Sequence, residues 1–389
     1  MRFTLPRARP PTRIDDPPGA LGLDWDRGDA PGAAREGVKT GFLIGEQVED
    51  RVAELLDITG VEALPAAAVF TGRPRSDAAR RFGDIEAEIR RRGFEMMLTD
   101  RGAGTAAVTV WTPAVEPALR SRPAVALALL AATLVTMTWA GALHQGIDLL
   151  RQPTRWQAGL PYALALAAVL GVHELGHYVT ARRRGVTVSL PYFIPAPFYL
   201  GTFGAFIRMY GRVRSRADYF DVAGAGPLAG LVAAVAALVY GFQIGTVDPV
   251  HGLDPRSSAL VYLLFRAAGG APGATQVAVG AVGFAGWLGL MVTALNLIPI
   301  GQLDGGHIAY GLLGRRAAGS LTSVVLGVLV ALGIFYSPHW LMWALVAWLV
   351  SGSGHPPALN ELAPIGRGRT ALGLFGAALL MAIVLPWPG

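Results

Sequence analysis

Two histidines four residues apart, His173 and His177, flank Glu174 in the run 171–177, GVHELGH. On a helix, side chains at i and i+4 project within about 40° of each other, so two imidazoles at this spacing can grip one metal ion. The carboxylate between them lies where it can hold and deprotonate a water activated by that metal. The preceding stretch 160–172, LPYALALAAVLGV, carries no charge, and a helix through it is apolar enough to enter a bilayer. Ionisable groups at membrane depth are costly and mark functional sites. The pattern predicts a hydrolytic metal site inside the membrane.

A catalytic zinc keeps three protein ligands and one open position, so a third donor must come from another element. The chain has no cysteine, which excludes disulfides, thiolate ligands and thiol nucleophiles. The His and Asp candidates within or beside the apolar segments are Asp221, Asp304, His307, His144 and His339. Asp304 lies in 296–306, NLIPIGQLDGG, at the end of an apolar segment running in the same direction as the helix of His173. Both therefore reach the cytoplasmic half of the membrane. Pro299, Gly301, Gly305 and Gly306 break the helix there, and irregular backbone at membrane depth persists only where it is buried or lines a cavity.

The elements that must carry these groups follow from hydropathy. Of 389 residues, 52% are hydrophobic and 15% charged, with mean hydropathy +0.43, a balance too apolar for an ordinary soluble protein. Spans are expected at about 123–145, 159–181, 219–242, 279–298, 321–337, 339–352 and 370–387. The sixth is short enough to be tilted or re-entrant, and 258–270 has room for a further partial span. The expected fold is an α-helical polytopic membrane protein of about seven (six to eight) spans with a small N-terminal α+β soluble domain.

Arg120, Arg122, Arg182, Arg183, Arg184, Arg208, Arg212, Arg214, Arg216, Arg315, Arg316, Arg367 and Arg369 fall on one side of these spans, against Arg151, Arg155, Arg256 and Arg266 on the other. The positive-inside rule then puts the N-terminus in the cytoplasm. Orientation in a membrane accounts for the basic pI, so no nucleic-acid partner is expected.

Residues 1–35, rich in Pro, Gly, Asp and Arg, are expected to be a disordered tail, and the start of the chain has no apolar core of a secretory signal. Residues 36–115 read as the soluble domain, a regulatory or binding module. Its expected parts are a helix at 46–56, a short strand at 66–70, an amphipathic helix at 76–92, and a hairpin of 94–98 with 106–111. Residues 120–389 form the membrane-embedded domain, its core at about 160–310. No internal repeat is visible, and the connections between spans are too short for a PDZ-type insert.

HELGH on one membrane helix with NxxP…LDGG on a later one resembles the site-2 protease family of intramembrane zinc metalloproteases, peptidase family M50. The runs 225–230, AGPLAG, and 201–206, GTFGAF, are similar to further motifs of that family. The N-terminal domain resembles a subgroup in bacteria and plastids that lacks a PDZ module. The resemblance implies one catalytic Zn2+ held by His173, His177 and Asp304, with Glu174 as the catalytic acid and base and Asn296 positioning the substrate or developing oxyanion. Two positions depart from the pattern: Gln302 stands where the family often has Pro, and Gly230 where many members have Asn.

The activity so implied is hydrolysis of a peptide bond within or near a transmembrane segment of a membrane-anchored protein. The expected partners are that substrate and the lipid bilayer, with a regulator or substrate bound by the N-terminal domain. The expected location is a bacterial cell membrane, or an organellar one, with the N-terminus cytoplasmic.

A helical peptide bond is shielded by its own hydrogen bonds, so the substrate must unwind locally. The apolar, Pro-broken stretch 188–208 is expected to form a membrane-embedded hairpin, with Gly201 and Gly204, whose edge pairs with the unwound strand. His307 is expected to support the site, Asp221 to end a span, Gly226 and Gly230 to pack helices, and Arg182 to Arg184 to anchor topology. A membrane protease taking Glu from a later ExxxA-type helix is disfavoured because no second Glu occurs in a span. A transporter or catalytically silent relative is disfavoured because ligands and Glu are all present.

Overall fold

The computed structural model describes residues 31–113, 122–210, 212–244, 252–351 and 357–387. The chain divides into two units: the residues up to Glu116 joined by Pro356–Ala363, and Pro117–His355 joined by Pro364–Gly389. The stretch 1–30 of the expected tail, and Arg120, lie outside the described residues.

In the N-terminal unit, Ile44, Val48 and Val52 recur at helical spacing and bury one face of α1 (Pro31–Val52). The helix thus begins within the stretch expected to be tail. Pro31 suits the first turn, and the Ala, Arg and Glu that follow are strong helix formers. Strands β1 (Leu56–Leu64), β2 (Ala67–Pro74), β3 (Glu95–Gly102) and β4 (Thr105–Trp111) form an antiparallel sheet in the order β1-β2-β4-β3. Phe70, Met96, Leu98, Val108 and Val110 pack with α1 and with Phe82, Ile85 and Ile89 of α2 (Ala78–Arg91) in one core.

A fifth, short extended segment completes this sheet from far along the chain. The Leu98 amide donates to the Leu359 carbonyl at 2.8 Å, and the Glu361 amide donates to the Leu98 carbonyl at 3.0 Å, a parallel pairing beside β3. The Glu361 carboxylate accepts from the Asp100 amide at 3.1 Å. The Asn360 side chain donates to the Ala79 carbonyl at 3.0 Å, and Leu359 joins the core.

Among the described residues of the membrane unit six helices are long and apolar enough to cross a bilayer. They are α3 (Pro123–Leu143), α4 (Leu160–Arg183), α5 (Arg216–Ile244), α7 (Gly280–Leu297), α9 (Arg315–Phe335) and α11 (Arg367–Val384), with the shorter α6 (Ala259–Ala267), α8 (Asp304–Leu313) and α10 (His339–Ser351) between them. The sixth expected span is α10, whose 13 residues reach only roughly 20 Å, short of a hydrocarbon core about 30 Å thick. The stretch expected to hide a partial span holds α6. Gly311 and Gly314 lie against Arg216 at the start of α5, and Arg369 pairs with Asp221 near the same end. Helix α9 therefore leaves from the end of the unit at which α11 begins, and the chain through α10 makes the return.

Between α4 and α5 the chain forms the expected hairpin, with β5 (Tyr192–Pro195) antiparallel to β6 (Thr202–Phe206). The pairing extends outward, since the Ser189 amide donates to the Arg208 carbonyl at 2.9 Å and the Tyr210 amide to the Thr187 carbonyl at 2.8 Å. Phe198, Tyr199 and Phe203 near its tip are exposed, as apolar groups facing lipid would be.

Candidate metal centre

Helix α4 places His173, Glu174 and His177 in its second half, and all three are buried. The third group arrives on a tight reversal. Helix α7 ends at Leu297, and Ile298, extended before Pro299, cannot continue it. Gly301 takes φ +49, and α8 then starts at Asp304 itself. A side chain at Gly305 would collide with the Leu297 carbonyl, and one at Gly306 with the Gly301 carbonyl. Both glycines are therefore required for the reversal that turns Asp304 toward α4.

The reversal brings one oxygen and two nitrogens together. Asp304 Oδ2 lies 3.4 Å from His173 Nε2 and 3.2 Å from His177 Nε2, and the two Nε2 atoms are 3.1 Å apart. A tetrahedral zinc with bonds of 2.0–2.1 Å sets its donors roughly 3.3 Å apart. The triangle matches that spacing, and its two imidazoles and one carboxylate suit zinc chemically. Among the described residues, these three form the group of His and acidic side chains with metal-binding spacing.

The ring of His177 is aimed by a carbonyl. Its Nδ1 donates to Val222 O of α5 at 2.8 Å, which leaves Nε2 turned to the donor triangle. This is the usual way in which a ligating histidine is fixed in tautomer and orientation. Helices α4 and α5 approach closely, for a Cβ on Gly176 would stand 2.5 Å from the Ala225 carbonyl. Gly226 lies under the His177 ring, and a Cβ at Gly230 would stand 3.0 Å from His173 Cβ and Nδ1. The pair Gly226 and Gly230, expected to pack helices, makes room for the imidazoles. The i, i+4 spacing of the glycines mirrors that of the histidines on the neighbouring helix.

The triangle opens on a cavity of about 210 Å3 that Glu174 and Asn296 also line. The Asn296 amide nitrogen stands 3.5 Å from His173 Nε2. Ala205, Phe206 and Ile207, at the end of β6, form part of the wall, and the Ile207 amide faces the Glu174 carboxyl. His307 lines the cavity too, stacked on Tyr219 at 5.5 Å between ring centroids. Gln302, at the position where the family often has Pro, is another wall residue.

Other expected residues lie elsewhere. Gly201 has φ +76 and packs against Met137 of α3, its carbonyl accepting from Thr136 Oγ1 at 2.6 Å. Gly204, with φ +105, shapes β6. Neither belongs to the cavity wall. His144 is buried against Tyr162 and Phe284, its Nε2 2.7 Å from the Tyr199 carbonyl. Asp221 is ion-paired with Arg369 and Arg184. His339 opens α10. The sequence reading missed Val222, Tyr219 and Ile207. No side-chain chemistry announces the backbone groups of Val222 and Ile207, and Tyr219 sits in an apolar span beginning.

Residues 161–337 match the family model for peptidase family M50. The "Probable zinc metalloprotease EGY2, chloroplastic" of Arabidopsis thaliana is 32% identical over 239 residues, covering 59% of this chain and 42% of that protein. The "Probable zinc metalloprotease EGY1, chloroplastic" of the same plant is 34% identical over 243 residues, 59% of this chain and 43% of that one. The EGY2 protein of Oryza sativa subsp. indica is 31% identical over 236 residues, at 59% and 43%. The chain thus matches less than half the length of these relatives. No solved structure matches the chain. The stretch that carries HELGH and the LDGG reversal is thus the stretch that matches peptidase family M50 and is similar to plant proteins named as probable zinc metalloproteases.

Proposed function

We propose that this chain is an intramembrane zinc endopeptidase that cuts a peptide bond within or near a transmembrane segment of a membrane-anchored protein. The observation that carries this reading is the donor triangle of His173, His177 and Asp304 sharing one cavity with Glu174. A bound Zn2+ would supply Lewis acidity, lowering the pKa of water and polarising the scissile carbonyl.

The chain's own groups do the rest. Glu174 takes the proton from the attacking water and delivers it to the leaving nitrogen. Asn296, whose amide points into the same space, donates to the substrate carbonyl oxygen as negative charge builds there. The end of β6 offers backbone on which a locally unwound substrate strand can pair. Burial of the site among apolar helices limits water to what the cavity admits, which strengthens each of these electrostatic contacts.

The N-terminal unit serves on this reading as a regulatory or substrate-binding module. It is supported by its donated segment, which ends at Ala363, four residues before α11 begins. As a multi-pass membrane protein with its basic loops on one side, the chain sits in a bacterial cell membrane or an organellar one, with its N-terminus on the side of those loops, the cytoplasmic face in a bacterium.

The test is Glu174→Gln in protein reconstituted with a single-span model substrate. Cleavage should fall by about three orders of magnitude or more while zinc stays bound. Cleavage at the unaltered rate would remove Glu174 from the reaction.

A further inference from the structure

Outside the donor triangle, a charged cluster is built around Asp221 on α5. Arg369 of α11 grips its carboxylate with a fork, Nε to Oδ1 at 2.7 Å and Nη2 to Oδ2 at 2.8 Å. Arg184, at the end of α4, pairs with the same carboxylate and reaches Asp218 at 3.6 Å. Arg369 is itself aimed, since its Nη1 donates to the Ile365 carbonyl at 3.0 Å. Only 16% of the Asp221 side chain is exposed, and a two-point guanidinium–carboxylate contact fixes orientation as well as distance.

The residue after Asp221 is Val222, whose carbonyl holds His177 Nδ1. We propose that Arg369 and Asp221 are positioning residues for the His177 ligand, acting through the Val222 carbonyl. The inference rests on the metalloprotease reading above and deepens it. Three features make this turn of α5 depend on outside ties. Pro227 has no N–H, so the rung it would make with the Ala223 carbonyl is absent. The Val222 carbonyl must meet a ring on another helix within the narrow limits of a hydrogen bond. And the ring rests on Gly226, one turn along the same helix, so a slip or roll of α5 shifts both contacts of the imidazole together. The clamp ties α5 to α11 through Arg369 and to α4, the helix of His177, through Arg184. Loss of the fork frees the carbonyl, the imidazole turns, and Nε2 leaves the triangle.

The test uses the full chain in detergent or nanodiscs with Co2+ as probe, reading affinity by chelator competition and coordination by the visible bands of the bound ion. Arg369→Gln should weaken Co2+ binding about 10- to 100-fold, the range for loss of a group that orients a metal ligand, and should alter the bands. Arg369→Lys, which keeps the charge without the fork, should fall between the two. Leu379→Ala serves as the structural control, because Leu379 is buried on the same helix among apolar neighbours. It should lower thermal stability and leave affinity and spectrum unchanged.

Wild-type affinity and spectrum in Arg369→Gln would overturn the inference, as would an equal loss of affinity in Leu379→Ala. Should Arg369→Gln fail to fold, Arg369→Lys decides by the same comparison. Failure of the unaltered chain to bind Co2+ would overturn the metalloprotease reading itself, and the inference with it. Binding by the unaltered chain with no change in the variants overturns the inference alone.

Discussion

Gly226 of α5 lies so close beneath the His177 imidazole that any side chain at 226 would occupy the space of the ring. Gly226→Ala should therefore weaken zinc binding at least about tenfold. Gly230→Ala should cost less, because a Cβ there would stand 3.0 Å from His173 Cβ and Nδ1, a contact relieved by a small shift. Chelator competition on the two variants checks the order. Equal, wild-type affinities would show that the glycines merely pack helices.

Asp304 supplies the oxygen that closes the triangle. Asp304→Ala leaves two imidazoles, one short of the usual set, and zinc content after dialysis should drop from one per chain to near zero. Full retention of zinc would place the third ligand elsewhere.

Gly204 holds φ +105 within β6, a conformation that costs a β-branched residue roughly 1–3 kcal/mol. Gly204→Val should disturb the end of β6 that walls the cavity, lowering cleavage of a membrane-anchored substrate while zinc content stays at the wild-type level. Unchanged cleavage would argue against a part for the hairpin in docking substrate.

The residues now seen near the triangle were unequally visible in the sequence. HELGH could be read because helical periodicity alone sets i and i+4 on one face, and Asp304 because depth and broken backbone singled out its turn. The function of Gly226 and Gly230 was hidden, since the same spacing serves ordinary helix packing. Strand β1 escaped notice because the register shifts between Ile58 and Gly60, which breaks the alternation that marks a half-buried strand. The segment 357–363 was illegible for another reason. Its partner Leu98 lies more than 250 residues earlier, and a Pro-flanked connection carries no period of its own. Helix α10 is apolar from Trp340 to Leu349, so both its apolar character and its shortness could be read from composition.

That donated segment carries its own prediction. Leu359 lies in the core of the N-terminal unit, and its carbonyl holds the Leu98 amide. Leu359→Ala should destabilise this unit by about 2–4 kcal/mol. Hydrogen exchange at the amides of Leu98 and Asp100 should then quicken, whereas amides in α4 should keep their protection. Unaltered exchange at Leu98 would mean that the segment does not complete the sheet in solution.

The central claim is that His173, His177 and Asp304 share one ion, and X-ray absorption at the zinc edge of the loaded protein tests it most directly. The account predicts one zinc per chain with two imidazoles and oxygen donors at about 2.0–2.1 Å, and loss of that zinc and its shell in His177→Ala. A shell with no imidazole, or one unchanged when His177 is removed, would contradict it.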